Sequence, residues 1–137
     1  MSSFYYIEPE VNGELGDGTI MDTCVYPPVV KKLILCFSGW LGDDLLECYP
    51  CFVVTERLAD ELKIVVKDDV FFEKINIKKS DEFDEVYPEK LLPHFYWMKI
   101  LNGRDIFLSE DKRLAVSERI MNILSAFNIS NAMIEKA

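Results

Sequence analysis

The clearest pattern of apolar and polar positions along the chain occurs twice. Cys51–Leu62 reads C-F-V-V-T-E-R-L-A-D-E-L, and Leu114–Leu124 reads L-A-V-S-E-R-I-M-N-I-L. Each begins with a short apolar run and passes through Val-Thr or Val-Ser into Glu-Arg and a helical pattern. Apolar residues fall at Leu58, Leu62, Val65 and Val66 in the first copy and at Ile120, Ile123, Leu124 and Phe127 in the second. Those spacings line one face of a helix. Thr55 and Ser117 stand where a hydroxyl N-cap accepts a bond from an unpaired backbone N–H. Glu56 and Glu118 follow in the first turn, where the helix dipole favours negative charge. The pattern predicts two strand-to-helix units, with helices over about 55–66 and 117–127.

The remaining elements are read from the same periodicities. Phe4–Ile7 is aromatic and β-branched and predicts a first strand stopped by Pro9. Asn12-Gly13 and Asp17-Gly18 are turn dipeptides, and Tyr26-Pro27-Pro28 breaks the chain before a strand over Lys32–Ser38. No Lys-Ser or Lys-Thr follows the early glycines, so they read as turns and not as a phosphate loop. Gly39-Trp40-Leu41-Gly42 predicts a turn leading into a short helical turn at Asp43-Asp44-Leu45-Leu46. Phe71–Lys79 alternates as a half-buried strand with one wet face. A helix between two strands permits either a parallel crossover or an antiparallel return. Ser80–Pro93 is the most acidic stretch and reads as an exposed connection. His94–Leu101 reads as an aromatic strand ended by Asn102-Gly103. Asn128 is placed to end the last helix in a left-handed cap, and Ala132–Ile134 reads as a closing strand. Together these elements predict an α+β fold with a mixed or mainly antiparallel sheet and two main helices, in one domain spanning residues 1–137.

Composition adds limits. A chain that is 50% hydrophobic and 12% aromatic is that of a folded protein. No apolar run reaches the ~18–20 residues of a membrane span, and the start M-S-S-F-Y-Y lacks the layout of a signal peptide, so a cytosolic protein is expected. Lys and Arg total 15 against 24 Asp and Glu, a net charge of −9. That argues against direct binding to nucleic acid, where phosphate contacts supply most of the affinity, and permits a basic protein partner.

Candidate chemistry is sparse. Cys48-Tyr49-Pro50-Cys51 has the spacing of redox thiols or of half a zinc site, and Cys24 and Cys36 complete the cysteines. The pair precedes a strand, so it does not start a helix as a thioredoxin-type thiol would, and no second paired motif exists. Buried structural thiols are expected. His94, the one histidine, reads as a strand-start residue. The acid pairs Asp43/Asp44 and Asp68/Asp69 lack the spaced ligands of a Ca²⁺ loop and read as solvated turns. Trp97 is expected in the core, and Trp40 stands between core and surface.

A wider set of short motifs then resembles a known family. The carrying residues are Tyr5-Tyr6…Pro9-Glu10-Val11…Gly13, then Pro50-Cys51-Phe52-Val53-Val54-Thr55-Glu56-Arg57-Leu58. They continue with Ile77…Ser80…Phe83…Tyr87-Pro88, Leu92-Pro93…Phe95-Tyr96-Trp97 and Val116-Ser117-Glu118-Arg119. The order resembles small immunity proteins of bacterial polymorphic-toxin and contact-dependent growth-inhibition systems. The resemblance implies a cytosolic binder that neutralises one cognate toxin domain, often a nuclease, by covering its active site or an adjacent surface. It implies no catalysis, cofactor or metal. Charge clustering in turn-prone sequence selects Asp81, Glu82, Asp84 and Glu85 as the first candidates for toxin contact, with Asp43, Asp44 and Trp40 as the second set. A thiol or zinc protein using Cys48 and Cys51, or a binding module with another partner, is the alternative.

Overall fold

The computed structural model describes residues 3–11, 13–25, 28–40, 42–88 and 91–136. Asn12, Tyr26, Pro27, Leu41 and Glu89, which belong to expected turns and to the acidic run, lie outside them.

In chain order the strands are β1 (Phe4–Glu8), β2 (Glu10–Val11), β3 (Gly13–Leu15), β4 (Ile20–Asp22), β5 (Val29–Lys32), β6 (Ile34–Phe37), β7 (Leu45–Cys48) and β8 (Cys51–Thr55). Helix α1 (Glu56–Val65), β9 (Val70–Lys74), β10 (Asn76–Lys79) and α2 (Asp81–Val86) follow. Next come β11 (Phe95–Ile100), β12 (Ile106–Leu108), β13 (Leu114–Ser117), α3 (Glu118–Leu124) and β14 (Met133–Lys136). They form sheets ordered β2-β7-β8-β11-β9, β12-β13-β1-β14 and β10-β6-β3, with a separate β4-β5 ribbon. Pairing is mostly antiparallel, the exceptions being β2 with β7 and β10 with β6. The fold is α+β, as the periodicities predict.

Burial explains the continuous apolar run of β8, all five of whose residues are buried. Phe52 and Val54 point into a core shared with α1, α3 and the inner face of the β1-containing sheet, including Ile7, Leu58, Leu62, Leu114 and Ile120. Cys51 and Val53 point the other way, into a core with Leu35 and Phe37 of β6, Phe83 of α2 and Trp97 of β11. A strand covered on both faces has no reason to alternate.

The repeated motif extends far beyond the strand-to-helix units. Thr55-Glu56-Arg57, Leu58, Leu62 and Glu73-Lys74 recur at one constant offset as Ser117-Glu118-Arg119, Ile120, Leu124 and Glu135-Lys136. The sheets repeat with them. Phe95 and Tyr96 stand opposite Thr55 and Val54, as Phe4 and Tyr5 stand opposite Ser117 and Val116. Beyond them, Glu73 and Lys74 face Trp97 and Tyr96, as Glu135 and Lys136 face Tyr6 and Tyr5. Even the bond that enters each helix recurs, from Glu56 N–H to His94 O at 2.9 Å and from Glu118 N–H to Ser3 O at 3.2 Å. Each half therefore runs strand, hairpin, helix, strand. The first half is β1, β7, β8, α1 and β9, and the second is β11, β12, β13, α3 and β14. The first strands are exchanged, so β1 completes the second half's sheet and β11 the first's.

Several expectations are corrected. Asp43–Leu46 is not a helical turn, because Leu45–Cys48 forms β7 and the two carboxylates just before it, Asp43 and Asp44, are buried. Phe71–Lys79 is two strands in two sheets, divided at Ile75. Ser80–Pro93 contains a helix, α2, capped by the Ser80 hydroxyl, which accepts from Phe83 N–H at 3.1 Å. The Thr55 hydroxyl makes no cap bond. Helix α3 ends at Leu124, and Asn128 is not left-handed, since Asn102 and Lys112 are the non-glycine residues with positive φ among those described. No helix among the described residues is long and apolar enough to cross a membrane.

Phe83 is fully buried and meets Phe37 edge to face at 6.5 Å, so it anchors α2 to the body. Phe83→Ala is expected to lower unfolding free energy by about 3–5 kcal/mol, measured as a shift of the urea midpoint. A loss below about 1 kcal/mol would show that α2 is not held by that side chain.

Candidate functional site

The two halves are locked by the same device. Asp44, just before β7, accepts from Thr55 Oγ1 at 2.6 Å and from Arg57 Nε at 2.8 Å and Nη2 at 2.5 Å. Asp105, just before β12, accepts from Ser117 Oγ at 2.6 Å and Arg119 Nη2 at 2.7 Å. The backbone N–H of Thr55 and Ser117 donates to the carbonyl of the same aspartate, at 2.9 and 2.8 Å. The hydroxyl before each helix thus donates to a carboxylate. Ser117 Oγ also accepts from Ile120 N–H, whereas Thr55 does not cap at all.

The halves also reach across to one another. Asp44 accepts from Asn128 N–H at 2.8 Å, and Asp43 accepts from Asn131 N–H at 2.9 Å and its amide Nδ2 at 2.8 Å. Asp69, which occupies in the first half the place of Asn131 in the second, accepts from the N–H groups of Asp105 and Ile106 at 2.7 and 3.0 Å. A Cβ at Gly103 would collide with that carboxylate, which accounts for a glycine there.

These contacts correct the reading of Asp43 and Asp44 as a solvated turn open to a partner. They are 0% and 1% exposed, and their oxygens are committed to the chain itself. Local sequence could not signal this, because Asn128 and Asn131 lie in the other half.

Asp81, Glu82, Asp84 and Glu85 are all exposed. They lie on α2, whose capped first turn favours acidic side chains. A row of edge-on rings runs inward from this helix, from Phe83 to Phe37, on to Phe95 at 5.1 Å, and to Trp40 at 5.7 Å. The half-buried Trp40 is held by its Nε1–H, which donates to Asp43 O at 2.9 Å. It lines a groove of about 610 Å³ together with Leu91, Leu92, Pro93, His94, Glu56 and Arg57. Leu91 is 90% exposed. The sequence pointed to Trp40 and to the acids but not to the Leu91–His94 wall. An apolar Leu-Leu-Pro stretch directly after the acidic run was the available signal.

The Arg57 guanidinium is both bonded to Asp44 and placed over the Phe127 ring, 5.2 Å from its centroid. Burial works to raise the Asp44 pKa, and the bonds from Arg57, Thr55 and the Asn128 N–H outweigh it, so the carboxyl titrates below the ordinary range. At Asp105 the Ser117 hydrogen bond is the largest influence, and that carboxyl too is lowered despite burial.

Cys48 and Cys51 face each other across the β7–β8 hairpin, whose Tyr49–Pro50 peptide is cis. Both are buried. Burial pushes the Cys48 thiol up to about 11 and the Cys51 thiol to about 12, with Glu14 and Glu47 adding to the first and Cys48 to the second. Thiols held protonated in this way are poor nucleophiles at neutral pH. Among the described residues no group of three or more His, Cys, Asp or Glu side chains is placed to hold a metal ion.

No family model matches the chain, and comparisons with curated proteins and with solved structures gave no significant match.

Two tests follow from this geometry. The folded pKa values of Asp44 and Asp105 lie below those of the unfolded chain, so their stabilisation is complete above about pH 4 and is lost as pH falls through the folded values. Urea midpoints should therefore drop on acidification below pH 4, and Asp44→Ala should cost about 2–4 kcal/mol at pH 7 by stranding buried donors. An acid limb of equal size in Asp44→Ala and Asp105→Ala variants would remove these carboxylates as its source. In thiol titration at pH 7, the exposed Cys24 should react first. Cys48 and Cys51 should react only on unfolding, and rapid modification of either in the folded state would contradict their burial.

Proposed function

We propose that the chain is an immunity protein, a cytoplasmic binder without catalysis of its own that neutralises one cognate toxin domain by covering its active site or an adjacent surface. The observation that carries this reading is α2, where four exposed carboxylates stand on a short helix fixed by Phe83 and the Ser80 cap. A fixed acidic face on a chain of net charge −9 favours a basic partner. Toxin domains that act on nucleic acid carry phosphate-binding surfaces of that sign, so α2 would occupy such a surface electrostatically. The contact set is Asp81, Glu82, Asp84, Glu85 and Trp40. The buried Asp43 and Asp44 support it from within by fixing the Trp40 segment.

Co-expression with the toxic domain encoded beside this chain should restore growth and yield a complex that co-purifies. Neutralising the helix (Asp81→Asn, Glu82→Gln, Asp84→Asn, Glu85→Gln) should weaken binding by about tenfold or more, chiefly through the association rate, and flatten its salt dependence. Unchanged affinity and salt dependence in a folded variant would remove α2 from the interface. Absence of both rescue and complex would remove the immunity reading.

A further inference from the structure

The repeat supplies an internal control for locating function, because it shows which parts of the chain the scaffold does not require. The second half joins β11 to Asp105 through residues 101–104 alone, while the first half places residues 9–43 between β1 and Asp44. The halves themselves are joined by residues 75–94, between β9 and β11. These two stretches build a layer of their own. β10 from the second pairs with β6 from the first, and Phe83 packs on Phe37. They meet again at the groove, which is lined by Trp40 from one stretch, Leu91–His94 from the other, and Thr55, Glu56 and Arg57 of the repeated body. At the equivalent entry to α3, Ser3 stands in the place of His94.

We infer that this groove is the anchor pocket for an apolar side chain of the protein partner, flanked in the partner by Lys or Arg. This deepens the immunity reading and rests on the chain being a protein binder. Trp40 and Leu91 supply apolar walls, and the indole is fixed in orientation by Asp43 O and the Phe95 edge. Arg57, also in the lining, has Nε and Nη2 both engaged by Asp44. The exposed Glu56 lines the groove beside it, on a chain of net charge −9, and gives the surroundings a negative sign. An apolar anchor seated in a desolvated pocket concentrates binding energy at protein interfaces, and complementary charge beside it steers the encounter.

The indole N–H resonance of Trp40, resolved from that of Trp97 by a Trp97→Phe control, reports on the groove directly. Titration with the model peptide acetyl-Lys-Leu-Lys-amide should shift it saturably, with weak affinity. Acetyl-Glu-Leu-Glu-amide should fail through charge, and acetyl-Lys-Gly-Lys-amide through lack of an anchor. Leu91→Asp, at an exposed position that leaves the core untouched, should abolish the shift. No saturable shift with the Lys-Leu-Lys peptide, or an equal one with either control, would overturn the assignment. With the toxin domain itself, Leu91→Asp should weaken the complex at least tenfold. Wild-type affinity of that variant would reject the groove while leaving the immunity reading intact, whereas no binding by the wild-type chain would reject that reading.

Discussion

The bond from a helix-entry hydroxyl to the carboxylate of an aspartate before the preceding hairpin organises the whole molecule. Asp44 with Thr55 and Arg57, and Asp105 with Ser117 and Arg119, each tie the start of a hairpin to the start of the helix that follows it. Because Asp44 is buried, its charge is tolerated only with its donors in place. It therefore specifies one arrangement of β7, β8 and α1 and disfavours others. Its fourth contact, with Asn128, extends that specification to the loop after α3.

What the sequence made legible follows this division between local and distant partners. Helices after Thr55 and Ser117, the aromatic strands at Phe4 and Phe95 and the α+β class rest on periodicity and were readable. Asp43 and Asp44 were misread because two adjacent acids after a glycine look like a wet turn until their partners in the other half are known. Phe71–Lys79 keeps its alternation across Ile75, so nothing in the pattern marks the passage from one sheet to another. Helix α2 was hidden by its charge, although Ser80 followed by Asp81 and Glu82 carries the cap and first-turn acids of a helix start. The repeat itself was visible only where its residues agree in type. Register in the sheets was needed to match Phe4-Tyr5 to Phe95-Tyr96, since β1 lies at the opposite end of the chain from the hairpin it joins.

For the candidate site, the same contrast separates scaffold from specialised surface. Thr55-Glu56-Arg57 and Ser117-Glu118-Arg119, which recur in both halves, belong to the locks. The acidic helix and the Trp40 groove belong to the stretches that break the symmetry. Such a separation suits the binding role proposed above, because loops and added elements vary at small cost while the locked body holds them in place.

The exchange of first strands also bears on how the chain is made. β1 leaves the ribosome long before both of its neighbours, β13 and β14. Throughout translation its aromatic residues have no sheet to join, and the first half's hairpin likewise waits for β11. The pairing is long-range, which slows folding and prolongs the exposure of unpaired edges. The sheet therefore closes late, with an early strand among the last to find its place.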